Sequence, residues 1–451
     1  MIVEVNWKIA AILGLAVLLR APGLFTDFWL DEIWALENVS AIDSASGVFT
    51  GIHHDSNHWL VSLWMHAVGS DRAFWLYRLP SFLAGVAAVF ACRSLGRMAG
   101  GSGDLAALFA AASFPLGFYA SEARGYSLAV LAGLLAFLSL VRAIETGSRR
   151  SLAAYGLVAT LGILSHLSFL IVLAAAIVFS LVMAGRGRIP LARVLAANAL
   201  PMGALGLLIA FDLRYLTIGG GPRTPPGTLL LQTASLSLGG PVEGPRIGAL
   251  GAFGALAAVL LGIEIARSFG RFWRERETTD PRRLTWIFYG VVLGLPLWLT
   301  IVLDPPFLFP RYFLVSVAFV PVLLASLTAS LGPRVGLALA CFCLGANAVS
   351  WGGFALDGRG RYEQALQDIL AAAPEELVEV GSDQDFRGRM LVEFYRKRMG
   401  GSPRLQYAGR SEAQFLLAET PLADSGGWVW VRTYRATPLS GTRWHLYRRA
   451  W

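Results

Sequence analysis

The sequence predicts an all-α polytopic membrane protein of about eleven transmembrane helices, with a small soluble α/β domain at its C-terminal end. The first observation is composition: 55% of the 451 residues are hydrophobic and only 15% are charged, whereas an ordinary soluble domain is about 25% charged. The second is that the hydrophobic residues are gathered into long runs. This composition excludes a disordered chain, and three cysteines within apolar runs exclude a disulfide scaffold.

The apolar runs are long enough to cross a bilayer, since about 17 or more residues are needed for a hydrocarbon layer of ~30 Å. The stretch 151–185 is too long for one span and has Ser165, His166 and Ser168 at its middle. We therefore predict two short helices there, joined by a polar turn in which His166 is either a satisfied polar residue or a ligand. The first run carries Arg20 and lacks a clean cleavage site, so we predict that it remains as the first span. The other predicted spans are 7–23, 74–92, 104–120, 125–141, 190–211, 248–266, 285–303, 311–331 and 333–351.

Basic residues predict the orientation of these spans. Arginines are concentrated in alternate connections, and the positive-inside rule places those connections and the N-terminus with Lys8 in the cytoplasm. The opposite side receives the outer loop 21–73, which contains seven acids and one basic residue. Many arginines flank apolar runs, so the net charge of +8 is better explained by membrane orientation than by nucleic-acid binding.

The last hundred residues differ from the rest, and we predict a boundary between a membrane domain, 1–351, and an extracytoplasmic soluble domain, 352–451. Residues 363–373 and 391–397 are typical of amphipathic helices. Alternating sequences at 428–431 and 444–447 indicate half-buried strands, and 379–380 indicates the end of another.

The outer loop contains two adjacent carboxylates, Asp31 and Glu32, between Trp29 and Trp34 and just beyond the first span. Partial desolvation above a membrane raises the proton affinity of a carboxylate, which suits it to act as a general base. The alternative is a solvated loop whose tryptophans are interfacial anchors.

Three arginines lie on the same predicted outer face: Arg78 in Arg-Leu-Pro-Ser, Arg124 in Tyr-Ala-Ser-Glu-Ala-Arg-Gly-Tyr, and Arg311 in Phe-Pro-Arg-Tyr. The positive-inside rule disfavours them there, so they suggest an anionic ligand such as a phosphate. The alternative is that each reaches lipid headgroups or pairs with a nearby acid such as Glu122.

The segment His53-His54-Asp55-Ser56-Asn57-His58 adds further polar candidates. Its histidines and carboxylate make His53, His54 and Asp55 weak candidates for a divalent metal, while no cofactor is certain. The candidates for contacts to acceptor or substrate, here and near the arginines, are His58, Asn57, Asp55, Glu122, Tyr126 and Tyr312.

The order of these motifs resembles the GT-C superfamily of integral-membrane glycosyltransferases. The nearest branch is the bacterial one related to aminoarabinose transferases, protein O-mannosyltransferases and lipopolysaccharide-core galacturonosyltransferases. The resemblance covers roughly residues 5–350 and, more weakly, the C-terminal domain. Many relatives carry His-Pro-Pro-Leu-Tyr where this chain has Asn57-His58-Trp59-Leu60, which leaves the acceptor-side role of the histidines open.

The resemblance implies an enzyme of the bacterial inner membrane that takes a sugar from a polyprenyl-phosphate carrier and transfers it to a lipid, glycan or protein. Displacement with inversion is expected, with Asp31 as the base and Glu32 as its helper or the partner of an arginine. Arg124 and Arg311 would hold the departing phosphate, with Arg78 a weaker candidate. Two other classes stay open: a lipid-linked-sugar flippase, and a non-catalytic component of envelope-glycan assembly.

Overall fold

The computed structural model describes residues 7–219, 223–244, 248–274, 278–305, 308–374, 377–424 and 426–450. Within these ranges, seven helices are long and apolar enough to cross a membrane, and nine if each of two bent pairs counts as one span. All nine coincide with runs predicted from the sequence. The two short helices predicted within 151–185 are also present and meet at His166, but each has only 17 residues. The protein is therefore a multi-pass membrane protein, as predicted.

In the described part of the chain, the membrane region and its outer loop contain seventeen α-helices. In chain order these are α1 (Trp7–Arg20), α2 (Leu30–Ser40), α3 (Gly47–Thr50), α4 (Trp59–Val68), α5 (Phe74–Met98), α6 (Gly103–Ala112), α7 (Phe114–Ala120), α8 (Tyr126–Thr146), α9 (Arg149–Ser165), α10 (Phe169–Gly185), α11 (Leu191–Phe211), α12 (Pro226–Ser237), α13 (Ala249–Arg274), α14 (Thr285–Trp298), α15 (Leu314–Val317), α16 (Val320–Ser330) and α17 (Pro333–Asp357).

The C-terminal region folds as predicted into a small α/β unit. It contains the helices α18 (Tyr362–Ala372) and α19 (Asp385–Arg398) and the strands β1 (Val378–Ser382), β2 (Leu405–Tyr407), β3 (Phe415–Ala418), β4 (Trp428–Tyr434) and β5 (Trp444–Arg449). The strands form one sheet in the order β2-β1-β3-β5-β4. β1 is parallel to β2 and β3, whereas β5 is antiparallel to β3 and β4. The sequence indicated β1, β4 and β5 but missed the short strands β2 and β3.

One hydrophobic core joins this C-terminal unit to the outer loop. Phe28 and Ile33 of the loop and Tyr77 of α5 are fully buried in the same cluster as Tyr362 and Tyr395 of the C-terminal unit. The Tyr395 hydroxyl donates to the Phe28 carbonyl at 2.9 Å, and burial of such large aromatic side chains dominates core energetics. The C-terminal unit therefore fixes the start of α2, the helix that carries Asp31 and Glu32.

Candidate active site

The Asp31 carboxylate lies between two of the three predicted arginines. Its Oδ2 is 3.1 Å from Nη1 of Arg311 and 3.6 Å from Nη1 of Arg124. The Arg124 side chain is only 4% exposed, whereas those of Arg311 and Asp31 are 16% and 21% exposed. These three side chains meet in one small pocket, whose wall also contains Trp34, His54, Asp55, Ser56, Gly219, Phe309 and Tyr312.

Charge and burial act in opposite directions on Asp31. Burial raises the pKa of its carboxyl group, but the positive charges of Arg311 and Arg124 outweigh burial and hold the pKa below its ordinary value. Asp31 is therefore ionised at neutral pH. The same two charges lower the proton affinity of Asp31, so an anion that binds the arginines in its place would raise that affinity.

Glu32, the other predicted acid, points into the protein. Its carboxylate accepts from Nε and Nη2 of Arg78 at 2.8 and 2.7 Å, and from the backbone amides of Ala123 and Trp29 at 2.8 and 3.2 Å. Glu32 is fully buried, as is Arg78, so neither group reaches the pocket. Of the two roles predicted for Glu32, the structure supports partner to an arginine.

Arg78 uses its remaining donors on backbone. Its Nη1 donates to the carbonyls of Gly23, Leu24 and Thr26, and its Nη2 donates to that of Asp27. The prediction that Arg78 contacts a donor phosphate is therefore corrected: its guanidinium ties the end of the first span to α5. Breaking such a buried pair typically costs about 3–5 kcal/mol, because the partner charge remains buried.

A second buried pair lies beside the first. Arg359, in the link between α17 and α18, is within 3.4 Å of Glu122 and donates to the carbonyls of Gly23 and Phe118. Burial raises the pKa of Glu122 despite the Arg359 charge. Glu122 is 3% exposed, so the substrate contact predicted for it is also corrected to a structural one. The sequence does not indicate this role for Arg359, because the residue lies within the predicted soluble domain, although it too is an arginine just beyond a span.

The Arg-Leu-Pro-Ser motif of α5 contacts the turn between α7 and α8, which carries Arg124. Pro80 cannot donate to the carbonyl of Leu76, and the Trp64 indole donates to that carbonyl instead, at 2.8 Å. One residue later, the Ser81 hydroxyl donates to the carbonyl of Arg124 at 2.7 Å. The motif thus positions Arg124 through its backbone rather than through charge.

The turn before α8 also depends on a glycine. A Cβ on Gly125 would lie 1.7 Å from the Ser165 carbonyl oxygen, so only glycine permits this close approach. The Gly125 amide donates to Nδ1 of His58 at 2.6 Å. Burial, with help from the Arg124 charge, keeps the pKa of His58 well below its ordinary value, and the same causes lower that of His166 to about 3. Both rings are therefore neutral packing partners of Tyr126.

Some side chains of the polar segment 53–58 line the pocket, and others contact the surrounding protein. His54 lies 4.1 Å from the Trp34 ring, centroid to centroid, and its Nδ1 is 3.1 Å from Asp55. His53 instead contacts the buried Asp212, whose other oxygen accepts from the Trp59 indole. Asn57 uses its amide group on the carbonyls of Val48 and Ile52 and on Ser62, so the contact to acceptor or substrate predicted for it is corrected to a structural role.

The predicted metal candidates do not converge in this arrangement. Across the described ranges, no group of three or more histidine, cysteine, aspartate or glutamate side chains is placed to hold a metal ion. His53 is paired with Asp212, while His54 and Asp55 pair with each other. Each pair supplies only two side chains, whereas a typical zinc site has three or four protein ligands.

The C-terminal unit makes two further contacts with the residues just before Asp31. Asp27 accepts from the backbone amides of Tyr362 and Glu363 at 2.6 and 3.2 Å, so it caps the first turn of α18. Arg387 of α19 lies over the Trp29 ring and adds to the positive charge that acts on Asp31. Neither contact was predicted from the sequence.

Comparisons with known proteins agree on the fold. No protein-family model matches the chain, and no curated protein matches it significantly. Two solved structures of ArnT from Cupriavidus metallidurans do match, each at 12% sequence identity and over 98% of both chains. The apo form has a TM-score of 0.54, and the form bound to undecaprenyl phosphate has one of 0.51. ArnT is an aminoarabinose transferase of the GT-C superfamily. At 12% identity the likeness shows that this chain shares the fold of ArnT, which is the fold predicted from the motif order.

Proposed function

We propose that this protein is a membrane glycosyltransferase that moves a sugar from a polyprenyl-phosphate carrier to an acceptor hydroxyl outside the cytoplasm. The observation that carries the proposal is the position of Asp31, 3.1 Å from Arg311 and 3.6 Å from Arg124, in a pocket at the ends of the helices. The undecaprenyl phosphate bound to an ArnT of the same fold supports this class of carrier.

The three side chains supply the parts that such a transfer requires. Arg124 and Arg311 would bind the lipid phosphate, since guanidinium groups match phosphate oxygens in geometry and charge. Asp31, freed from both cations, would accept the proton of the acceptor hydroxyl. The acceptor oxygen then bonds to the anomeric carbon as the bond from that carbon to the phosphate oxygen breaks. The polyprenyl phosphate leaves, and the anomeric configuration is inverted.

The proposed location is a bacterial inner membrane, with the N-terminus in the cytoplasm and the C-terminal unit outside. Arginines at one end of several helices support this orientation. Arg97 lies in the last turn of α5, Arg149 begins α9, and Arg282 and Arg283 precede α14. The proposed acceptor is a lipid, a glycan or a protein on the outer side.

A flippase or transporter is less well supported by the position of the charged groups. Transporters bind their substrates near the bilayer midplane, at broken helices. Here Asp31 lies in the first turn of α2 and Arg124 just before α8, while the ion pairs Glu32–Arg78 and Glu122–Arg359 are buried.

The test is transfer by the purified protein. Radiolabelled polyprenyl-phosphate sugars extracted from the producing cells are incubated with the protein in detergent, and water-soluble or acceptor-linked sugar is measured. Release or transfer is expected from the wild type and not from Asp31→Asn. The protein is also reconstituted into proteoliposomes, where a flippase would move the labelled donor across the membrane without releasing the sugar. A non-catalytic assembly component would neither release sugar nor move the donor. Adding EDTA to the same assay tests the metal hypothesis for His53, His54 and Asp55, because transfer falls only if an ion is required.

A further inference from the structure

A second cavity lies at the other end of the same helices. It is bounded by the carboxyl end of α5 at Met98, by Glu264 of α13, by the start of α14 and by Ser326 of α16. Twenty residues of α5 separate Met98 from Arg78, which at 1.5 Å per residue is about 30 Å. The cavity volume of about 310 Å³ is at the small end of the range found for ligand pockets.

The interior of this cavity favours a cation with hydrogen-bond donors. Glu264 is 4% exposed within a spanning helix, and an ionisable residue in that position indicates a functional site. The Ser326 hydroxyl donates to its Oε1 at 3.3 Å. Tyr289 is 6% exposed, and its hydroxyl has no hydrogen-bond partner among the described residues. The carboxyl end of α5 adds the negative end of a helix dipole.

The rim of the cavity has the opposite charge. Arg282 and Arg283 precede α14 and line the opening, with side chains 56% and 58% exposed. Among the described residues, Arg282 pairs with Glu145, and the Arg283 side chain lies near the Asp280 carboxylate. A guanidinium presents five donors in a planar fork that matches the oxygens of a phosphate group. Trp286 in the wall offers an aromatic ring suited to both an ammonium group and the bilayer interface.

We propose that this cavity binds the phosphoethanolamine headgroup of a membrane phospholipid. The ammonium group would enter toward Glu264 and the Tyr289 hydroxyl, while the phosphate would stay at the rim with Arg282 and Arg283. The acyl chains would run along the outside of the bundle. In the orientation proposed above, the lipid belongs to the cytoplasmic leaflet, and it is separate from the polyprenyl-phosphate site.

Three headgroups with matched acyl chains separate this proposal from general lipid binding. Phosphatidylethanolamine has an ammonium group that donates hydrogen bonds, phosphatidylcholine has a cation without such donors, and phosphatidylglycerol has no cation. The full-length protein is delipidated in detergent, titrated with each palmitoyl-oleoyl lipid and analysed by native mass spectrometry. We expect phosphatidylethanolamine to bind about tenfold or more tightly than phosphatidylcholine, because only its ammonium can donate to a carboxylate.

Two variants assign the preference to this cavity. Glu264→Gln should reduce phosphatidylethanolamine binding about tenfold or more, and Tyr289→Phe by about two- to tenfold. Asp43→Asn, which removes an exposed carboxylate from the outer loop, should leave it unchanged. The proposal is overturned if the wild type binds the three lipids equally, if phosphatidylglycerol binds best, or if the cavity variants bind like the wild type. Tyr289→Phe alone decides if Glu264→Gln fails to fold.

Discussion

Asp31→Asn should lower transfer and tighten phosphate binding at the same time. Asparagine is nearly the same size as aspartate, so the shape of the pocket, whose wall includes Trp34, should survive. Loss of a general base typically reduces the rate by about 10²–10⁴-fold. The second effect follows from the contacts of Asp31 in the free protein, where its carboxylate occupies the two arginines that a lipid phosphate needs.

The size of the second effect can be worked from those contacts. A phosphate that enters the pocket must replace Asp31 as the partner of Arg311 at 3.1 Å and of Arg124 at 3.6 Å. A hydrogen bond to a charged group contributes about 1.5–3 kcal/mol net. If the wild type loses one such interaction on binding and the variant does not, undecaprenyl phosphate should bind Asp31→Asn about 10- to 100-fold more tightly.

Two assays on the same preparations measure the two effects. Transfer is followed with a labelled polyprenyl-phosphate sugar, and affinity with undecaprenyl phosphate by a ligand-induced shift of the melting temperature. Asp43→Asn is the control for the same change of group, because Asp43 lies in the same outer loop but is exposed and does not line the pocket. Full transfer by a folded Asp31→Asn would refute its role as the base. Phosphate affinity no higher than that of the wild type would refute the competition for the arginines.

Three further predictions concern the arginines and the orientation. Arg124→Lys and Arg311→Lys should each weaken binding of undecaprenyl phosphate at normal protein levels, since lysine keeps the charge but loses the planar fork; unchanged affinity in both would indicate lipid-headgroup or structural roles. Arg311→Gln should move the acidic limb of kcat/KM to higher pH, because the Arg311 charge keeps the pKa of Asp31 low in the wild type and the base is active only when ionised; a profile that shifts down or not at all would contradict this. Cysteines at Ser46 and Ser411 should react with an impermeant thiol reagent outside intact cells while one at Thr279 should not, and labelling at Thr279 would reverse the orientation.

The sequence could predict the spans and the pocket arginines because both depend on local signals. Apolar runs of sufficient length define spans wherever they occur. An arginine on the outer face of a membrane is unusual whatever its contacts, because basic residues favour the cytoplasmic side. The same signal does not tell a ligand-binding arginine from a structural one. Arg78 and Arg124 look alike in the sequence, yet Arg78 is saturated by Glu32 and four backbone carbonyls, while Arg124 faces Asp31.

Contacts between distant segments could not be predicted in this way. Arg359 reaches Glu122 across 237 positions of sequence, and Asp27 caps a helix that begins 335 residues later. Such pairs follow from the packing of the C-terminal unit on the outer loop, where Phe28 and Tyr362 share one core. Neither amphipathic period nor charge pattern in either segment indicates which surface the other will cover.

The different fates of Asp31 and Glu32 show what the helix adds to the pair of carboxylates. Both lie in the first turn of α2, where the positive end of the helix dipole stabilises negative charge. Successive residues of an α-helix point about 100° apart, so two neighbouring acids cannot face the same side. Arg78 and the Ala123 amide both donate hydrogen bonds to the Glu32 carboxylate, and these contacts fix the rotation of α2 about its axis. That rotation directs Asp31 toward Arg124 and Arg311, so the buried pair sets the position of the proposed base without touching the substrate.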